Sequence, residues 1–348
     1  MSSKSIENKT VLVTGGTGLV GSHLLYDLIR KGYKVRALKR KTSNLSNTKD
    51  IFSHYSEDST ELFNSLEWID GDILDVFSLE GAMKGVDHVY HAAAMVSFEG
   101  SDKSVIHKVN TDGTANIVNV ALQQNVKKLG FVSSIASLGR ANEDGIITEE
   151  CWWKNSSSNS QYSISKFGAE REVWRGIAEG LDAIIINPSI ILGPSDWNNS
   201  SSQIFKTVYD GIKFYTNGIT GFIDVRDVSA SLLQLMESDI KNDRFIINSE
   251  DISYKKIFDL IAHQFNVKIP NFKVAPWQAA IVWRLLLIKS LIFGGTPRIT
   301  KETARSAFST NSFSNKKVSE YIGYNFIPIE QSVHDTCQYF IRNYIHNT

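Results

Sequence analysis

Residues 10–21 read Thr10-Val-Leu-Val-Thr14-Gly15-Gly-Thr-Gly18-Leu-Val-Gly21, an apolar run followed at once by a glycine-rich turn. The apolar run predicts a strand buried on both faces, and residues 19–31 predict a helix. In such a junction Gly15 permits the tight turn, Gly18 lets the backbone approach a ligand, and Gly21 lets the helix pack on the strand. Phosphates bind well at a helix N-terminus, so the stretch predicts a pyrophosphate site; a tight turn without a ligand is the alternative.

Apolar runs and helix-period segments alternate through the first half of the chain. This alternation predicts a parallel sheet covered by helices on both faces, which is an α/β, Rossmann-type doubly wound fold. Residues 42–60 are rich in Ser, Thr, Asn and Asp, which indicates a surface loop. Further strands are expected at 33–38, 66–70, 88–92, 128–133 and 183–187, and helices at 74–84, 103–125 and 161–179.

The pattern loosens after residue 188. Residues 193–202 hold Pro194 and a cluster of Asn and Ser, a composition typical of a mobile loop. We therefore divide the chain into a nucleotide-binding Rossmann domain, residues 1–188, and a smaller, mostly helical substrate-binding region, residues 189–348. Residues 223–240 are expected to pack back on the first domain. Helices of the second region are expected at 228–237, 254–265, 275–293, 301–308 and 329–344.

Bulk composition excludes several classes of protein. Lys and Arg number 37, as do Asp and Glu, so there is no electrostatic case for nucleic acid. Cys151 and Cys337 are too few for a disulfide framework, and no Cys/His cluster has metal-ligand spacing, so no metal is expected. The polar residues 1–10 lack the apolar run of a signal peptide, which favours a cytoplasmic setting.

Residues 274–293 are strongly apolar, but Arg284 and Lys289 interrupt them and Gly294 and Gly295 follow. The segment is marginal for a membrane span, so no transmembrane helix is expected. A buried or pocket-lining helix is one interpretation, and peripheral contact with a membrane surface is the other.

The segment Gln161-Tyr-Ser-Ile-Ser-Lys166 places a tyrosine and a lysine one helical turn apart, on the same face. A neighbouring ammonium favours the phenolate, so we expect Lys166 to lower the pKa of Tyr162 from its usual value of about 10. Tyr162 is then a candidate general acid or base. By chance such a pair is usually part of a solvated helix face, so its context decides.

Several motifs supply that context. They are Gly71-Asp72-Ile73, His91-Ala-Ala-Ala94, Val109-Asn110-Thr-Asp-Gly113, Phe131-Val-Ser-Ser134 and the segment from Asn187-Pro188 to Gly193-Pro194. With the glycine loop they resemble the extended branch of the short-chain dehydrogenase/reductase superfamily, the epimerase/dehydratase type, over nearly the whole chain. The dihydroflavonol 4-reductase and 3β-hydroxysteroid dehydrogenase group is the nearest in resemblance. Its features are Thr148-Glu149-Glu150, Pro297-Arg-Ile-Thr-Lys-Glu302, Asn315-Lys316-Lys317 and Glu320-Tyr-Ile-Gly-Tyr324.

The resemblance implies a nicotinamide dinucleotide cofactor and the residues that hold it. Those from the glycine loop and the third strand are Gly15, Thr17, Gly18, Leu19, Val20, Gly21, Asp72 and Ile73. Those expected around the nicotinamide are Ala92, Ala93, Ala94, Tyr162, Lys166, Pro188, Ser189 and Ile190.

The end of the second strand bears on the choice between NADP and NAD. An acidic residue there usually holds the ribose 2′-hydroxyl of NAD, whereas a basic one accommodates the 2′-phosphate of NADP. This strand ends Lys39-Arg40-Lys41, without an acid. Arg40, with Lys39 or Lys41, suits a 2′-phosphate, so NADP is expected and NAD stays possible. The alternative interpretation is a basic surface run.

The resemblance assigns Ser134, Tyr162 and Lys166 as the catalytic residues. Carbonyl reduction builds negative charge on the substrate oxygen, to which Ser134 can donate a hydrogen bond and Tyr162 a proton. Ser133 competes with Ser134, because neighbours on a strand point to opposite faces. Three other polar residues have their own expectations: Ser137 as a substrate contact, Asn110 as a stabiliser of its helix, and His91 as part of the pocket wall.

Three reaction classes fit the motifs: an alcohol/ketone reductase, a nucleotide-sugar epimerase, and a cofactor sensor without turnover. The complete Ser-Tyr-Lys set disfavours a sensor, and Ile135-Ala136 after Ser134 lacks the acid pair of dehydratases. We expect a reductase acting on a small, hydrophobic substrate. Pairing through the helices that carry Asn110 and Tyr162 would give a homodimer. Candidate pocket walls, alternatively core residues, are Phe205, Tyr209, Phe214, Tyr215 and Phe222.

Overall fold

The computed structural model describes residues 9–97, 102–141, 144–157, 159–293 and 301–345, apart from the side chains of 285–293. The strands are β1 Thr10–Thr14, β2 Lys34–Lys39, β3 Glu67–Asp70, β4 His88–His91, β5 Lys128–Val132, β6 Ile146–Ile147, β7 Ala183–Pro188, β8 Ile190–Leu192, β9 Phe214–Tyr215, β10 Ile219–Asp224, β11 Asp243–Ile247, β12 Glu250–Ser253, β13 Phe272–Lys273 and β14 Ser312–Phe313. The helices are α1 Leu19–Arg30, α2 Ser46–Tyr55, α3 Ser59–Asn64, α4 Val76–Met83, α5 Lys103–His107, α6 Gly113–Gln123, α7 Gln161–Ala178, α8 Gln203–Tyr209, α9 Val225–Glu237, α10 Tyr254–Phe265, α11 Pro276–Phe293, α12 Lys301–Ser306, α13 Lys316–Ile322 and α14 Ile329–Phe340.

A seven-stranded parallel sheet forms the centre, in the order β11-β7-β5-β4-β1-β2-β3. The chain starts in the middle of the sheet at β1, winds outward to β3, then crosses to β4 on the other side of β1. Loops at the carboxyl ends of β1 and β4 therefore face the same crevice, which is where ligands of doubly wound sheets bind.

Both faces of the sheet are covered, as the uniformly apolar strands predict. Val11 and Val13 pack with Leu24, Leu25 and Leu28 of α1 and with residues of α9. Leu12 points the other way and belongs to a second core with residues of α4, α6 and α7. This alternation confirms the predicted Rossmann-type, doubly wound fold.

The segment 42–60, expected as a surface loop, is mostly helical instead. Helix α2 buries Thr48, Ile51 and Phe52, and α3 buries Phe63. Phe52 and Phe63 meet edge to face, with ring centroids 5.7 Å apart. The polar composition hid a few apolar residues at helical spacing, and their burial outweighs the weak helix propensity of Ser, Asn and Thr.

The C-terminal part has its own apolar core and a small sheet that the sequence pattern does not reveal. Strands β12, β10 and β8 form this sheet, with β10 antiparallel to β12 and parallel to β8. The core packs residues of α8, α10 and α14, among them Phe205, Ile261 and Phe340. Helix α9 and strand β11 lie on the central sheet, so the main sheet extends past residue 188, our proposed domain boundary.

The described part of α11 is on the surface. Trp277, Ile281 and Val282 are 65%, 50% and 41% exposed, which contradicts a buried or pocket-lining helix for residues 276–284. Over the ranges described here, we find no helix with the length and apolarity needed to cross a membrane.

Candidate active site

Of the three glycines at the motif spacing, Gly15, Gly18 and Gly21, the first and the last are tightly packed. Gly15 has a φ of +75°, and a Cβ there would lie 2.6 Å from the amide nitrogen of Ala93. A Cβ on Gly21 would lie 2.0 Å from the carbonyl oxygen of Gly15. Gly21 thus packs on the first residue of the loop rather than on the strand, and only glycine fits at either position.

Gly18 has more space around it. A Cβ on Gly18 would have the carbonyl oxygen of Gly15 as its nearest neighbour, at 3.4 Å. Gly18 is also the N-cap of α1, which has no side-chain cap and no acidic residue in its first turn. The carbonyl of Gly18 accepts from the amide of Ser22 at 3.0 Å. The first amides of α1 therefore point toward the crevice with the positive end of the helix dipole, as an anion site requires.

Helix α2 supports this loop from behind. The Thr48 hydroxyl donates to the carbonyl of Gly16 at 3.0 Å, and the Asn47 amide donates to the carbonyl of Thr17 at 3.3 Å. Thr48 is fully buried. These supporting residues lie in the segment expected as a loop, and only the isolated Ile51-Phe52 pair could have indicated them.

Some of the basic residues along β2 and after its end form ion pairs, and others do not. Lys39 pairs with Asp70, and Arg36 pairs with Glu67 at 2.9 Å. Arg40 and Lys41 are exposed, and within the described ranges neither has an ion-pair partner. Arg40 follows the carboxyl end of β2, next to the glycine loop, and is free to bind an anion there.

Asp72 and Ile73 mainly shape the backbone beyond β3. The Asp72 carboxylate accepts from the amide of Leu74 at 2.9 Å, and Ile73 packs so closely on Gly113 that a Cβ there would lie 2.6 Å from its Cδ1. The expected nicotinamide wall, residues 92–94, begins where the amide of Ala92 donates to the carbonyl of Thr14 at 3.2 Å. Strands β1 and β4 thus hold the glycine loop and the alanines together.

Ser134 and Tyr162 are brought together by β5 and the first turn of α7, and their side chains share a hydrogen bond. Ser160 caps α7, its hydroxyl accepting from the amide of Ser163 at 3.0 Å. Tyr162 is half-buried, and desolvation raises its pKa, with the Ser134 hydrogen bond opposing the rise. The expected net lowering of the Tyr162 pKa is therefore wrong, because desolvation of the phenol dominates and raises that pKa. Tyr162 keeps its proton at neutral pH, the state that a general acid needs.

Lys166 is 2% exposed, and its ammonium donates to the carbonyl of Val132 at 2.9 Å. It also lies 5.0 Å from the centre of the Phe131 ring. Burial lowers the pKa of Lys166 to about 8, and the nearby carboxylate of Glu170 opposes that shift. A backbone contact to β5 thus fixes the lysine one turn below Tyr162.

Ser133 points away from Tyr162, into the protein. Its hydroxyl donates to the Glu170 carboxylate at 2.7 Å, and Ser137 does the same at 2.7 Å. Ser137 is 1% exposed, which is inconsistent with the expected substrate contact. Of the serines that follow β5, the geometry leaves Ser134 facing Tyr162.

Glu170 is the centre of a buried polar network that the sequence did not reveal. Besides the two serines, the Glu170 carboxylate accepts from the Asn187 amide at 2.8 Å and pairs with Arg244 at 3.0 Å. Arg244 also donates to the carbonyl of Glu149. Glu170 lies one turn after Lys166 on α7, and this spacing was the one feature of the sequence that could have indicated its role. The network ties α7, β7 and β11 to the turn that carries Ser134, because Asn187 also donates to the Ser134 carbonyl at 3.1 Å.

Asn110 and His91 have structural partners. Asn110, in a π-turn at Lys108–Asp112, accepts from the amide of Met95 at 2.7 Å and donates to the hydroxyl of Ser165 at 2.9 Å. Both ring nitrogens of His91 are engaged, by Thr14 at 2.7 Å and Thr114 at 3.0 Å. Burial lowers the pKa of His91 to about 3, so His91 is neutral.

Residues 188–190 lie beside the small sheet at the carboxyl end of β7. The amide of Ser189 donates to the carbonyl of Ile247 at 3.0 Å, while its hydroxyl is buried and has no hydrogen-bond partner among the described residues. A buried hydroxyl without a partner is a candidate ligand contact. Pro188 ends β7 and Ile190 begins β8, at the mouth of the crevice.

Two of the candidate pocket walls are core residues. Phe205 and Phe222 are fully buried in the C-terminal core, so they cannot line an open pocket. Phe214 is 56% exposed, and Tyr209 and Tyr215 are half-buried. The aromatic residues expected around a substrate therefore divide between core and outer surface.

Comparison with known proteins shows the family of the chain. The profile of the NAD dependent epimerase/dehydratase family matches residues 11–247. A putative dihydroflavonol 4-reductase from Synechocystis is 26% identical over 94% of this chain and 93% of its own length. Cinnamoyl-CoA reductase 1 of Petunia hybrida is 26% identical over 96% of this chain and 92% of its own length.

Among solved structures, the crystal structure of gox2253 superposes with a TM-score of 0.80 at 29% identity, covering 97% of this chain and 99% of the other. The likeness therefore includes the central sheet, the small sheet and the C-terminal helices, and is not limited to the glycine loop.

Proposed function

Because the chain belongs to the NAD dependent epimerase/dehydratase family, and so to the NAD(P)-dependent enzymes of the extended short-chain type, we propose that it is an NADP(H)-dependent oxidoreductase that interconverts a ketone and a secondary alcohol. The hydrogen bond between Ser134 and Tyr162, with the buried Lys166 one helical turn after Tyr162, carries the proposal.

The residues present fit a dinucleotide. The uncapped start of α1 suits a pyrophosphate, and Gly18 leaves the space that a close backbone approach needs. The buried, unpartnered hydroxyl of Ser189 suits a polar group of the nicotinamide end. When bound, the cofactor supplies the hydride.

The protein residues handle the proton. Tyr162, protonated at neutral pH, gives its proton to the substrate oxygen, and Ser134 donates a hydrogen bond to that same oxygen. The positive charge of Lys166 stabilises the phenolate that remains. The network around Glu170 keeps the Ser134 turn and α7 in fixed relation while the proton moves.

NADP is proposed over NAD on the evidence of Arg40, which is exposed and unpaired at the end of β2 within the described residues. A 2′-phosphate carries close to two negative charges, which a guanidinium binds well.

A hydrophobic substrate is proposed from the relatives, whose names specify dihydroflavonol and cinnamoyl compounds. A homodimer is proposed through the outer face of α5 and α7, where Val105 and Ile164 are 49% and 36% exposed. Light scattering in solution tests the dimer, and an Ile164→Glu variant should be monomeric if that face is used.

The deciding experiment offers aryl ketones, steroids and nucleotide sugars to the purified protein with NADPH and follows absorbance of the reduced cofactor. Oxidation of NADPH with an apolar ketone supports the proposal. Interconversion of nucleotide sugars without net cofactor consumption would instead establish the epimerase alternative.

A further inference from the structure

Exposed apolar side chains gather where β9 and β13 lead into α11. We call them the apolar patch. Their exposed fractions lie between 40% and 65%, and they are Phe214, Ile269, Phe272, Trp277, Ile281 and Val282. Folded surfaces rarely expose so many large apolar residues close together unless something covers them.

The strand part of the patch is held together, and it leads directly into α11. Strands β9 and β13 pair in parallel with Phe272 opposite Phe214, and the two ring centroids are 6.1 Å apart. The amide of Val274 donates to the carbonyl of Tyr215 at 2.9 Å, which holds the start of α11 against the strands. A depression of about 560 Å³ lies beside the patch, with Lys213, Lys268 and Phe272 on its wall.

The charge around the patch is predominantly positive. Between Asp259 and Glu302 the sequence contains no acidic residue, but it contains Lys268, Lys273, Arg284, Lys289, Arg298 and Lys301. Lys213, Lys268, Lys273 and Arg284 are exposed beside the apolar residues. Two carboxylates near this rim are paired with lysines, Asp210 of the depression with Lys206 at 2.9 Å and Asp259 with Lys255 at 2.5 Å.

We propose that the apolar patch and its basic rim dock this enzyme on an anionic lipid surface. Aromatic side chains lie well at the boundary between water and lipid, and lysines beside them attract acidic headgroups. A second copy of the chain fits poorly, because a two-fold interface would set one basic rim against the other. Docking on a lipid surface would place the enzyme where hydrophobic compounds dissolve.

The test is co-sedimentation of the full chain with vesicles. We compare vesicles of phosphatidylcholine alone with vesicles that contain one-third phosphatidylglycerol. Binding should be strong only to the acidic vesicles and should be lost at high salt, because salt screens the attraction. Quenching of tryptophan emission by brominated lipid would report insertion of Trp277.

Two double variants separate the apolar from the basic contribution. Lys268→Gln/Lys273→Gln should lower the partition coefficient roughly 25-fold, since each lysine near the surface contributes about fivefold. Phe272→Ser/Trp277→Ser should lower it by about tenfold or more. Trp152→Ser is the matched control, because Trp152 is 84% exposed outside the patch and its loss should change nothing.

Circular dichroism and melting temperature confirm that the variants fold, as expected for exposed positions. Equal binding to both kinds of vesicle, or none to either, overturns the proposal. So does a soluble dimer that Phe272→Ser/Trp277→Ser dissociates, because then a second copy covers the patch.

Discussion

The ammonium of Lys166 donates a hydrogen bond to the carbonyl of Val132, 2.9 Å away and two residues before Ser134. The lysine is therefore anchored to the strand that carries the serine, while its own helix carries Tyr162. This contact between β5 and α7, together with the Glu170 network, holds the three proposed catalytic groups in place.

Replacement of Tyr162 by Phe should lower kcat by roughly 10²–10⁴, because the proton donor is lost while the ring stays. Binding of NADPH, followed by its fluorescence, should stay within about twofold of the wild type. Tyr321→Phe serves as control, since Tyr321 is 53% exposed and far from the site in sequence. Retention of full activity by Tyr162→Phe would exclude its role as the acid.

Reduction should become slower as pH rises through about 8, because Lys166 loses its charge with a pKa of about 8. Glu170→Gln should move this alkaline limb lower by about one pH unit, since the carboxylate that favours the ammonium is removed. The variant also leaves the partly buried Arg244 without its ionic partner, so its melting temperature should fall. Profiles of kcat/KM against pH measure the limb.

A double variant, Glu170→Gln/Arg244→Met, removes both charges of that pair and separates stability from proton affinity. This double variant should recover most of the melting temperature that Glu170→Gln loses. The alkaline limb of its kcat/KM profile should shift less than that of Glu170→Gln. An unchanged limb in the single variant would mean that Glu170 has no influence on Lys166.

Arg40→Ala should raise the KM for NADPH by about tenfold to a hundredfold, because a hydrogen bond to a charged group contributes about that factor to binding. The KM for NADH should stay unchanged. Lys34→Ala, an exposed lysine at the other end of β2, is the control and should affect neither cofactor. An equal effect on NADPH and NADH would contradict a contact to the 2′-phosphate.

Two loop glycines, Gly15 and Gly18, should respond differently to alanine. Gly15→Ala should destabilise the fold, because of its φ of +75° and the contact with Ala93. Gly18→Ala should melt at nearly the wild-type temperature and yet bind cofactor about tenfold or more weakly, since its Cβ meets little protein but occupies the ligand's approach. Gly32→Ala, with a φ of +87° and open space, isolates the backbone cost of about 1–2 kcal/mol. A Gly18→Ala protein with normal cofactor affinity would contradict the predicted pyrophosphate site.

The fold should weaken in acid as buried histidines take up protons. Burial lowers the pKa of His91 to about 3 and that of His23 and His88 to about 4, from 6.5. Between these values the unfolded chain binds more protons, so stability falls as pH falls below about 6.5. His91→Gln should flatten this dependence by up to about 1.4 kcal/mol per pH unit. Melting curves recorded from pH 7 to pH 4, about one per half pH unit, measure this dependence of stability on pH. An unchanged slope in His91→Gln would show that His91 does not contribute.

Local patterns made the central sheet and its glycine loop predictable. Strands buried on both faces leave uniformly apolar runs, and a ligand-binding turn needs glycines at fixed spacing. The pairing of Tyr162 with Lys166 is also local, since one helical turn joins them.

What the sequence did not predict depends on contacts between distant segments. Helix α2 forms because Phe52 packs against Phe63 and the core beneath α1, although the composition of α2 is that of a loop. Glu170, Asn187 and Arg244 meet only after three elements have assembled. The pKa of Tyr162 also came out opposite to expectation, because a helix pattern gives the distance to a lysine but not the loss of water around the phenol.

The position of β11 at the edge of the central sheet has a consequence for biosynthesis. When β7 emerges from the ribosome it can pair with β5 on one edge, but its other edge is unpaired. Its partner on that edge, β11, is made only after β8, β10 and α9. An unpaired apolar edge of this kind is prone to aggregate. We expect nascent chains stalled shortly after residue 188 to need chaperones, and those stalled after residue 247 to fold the sheet.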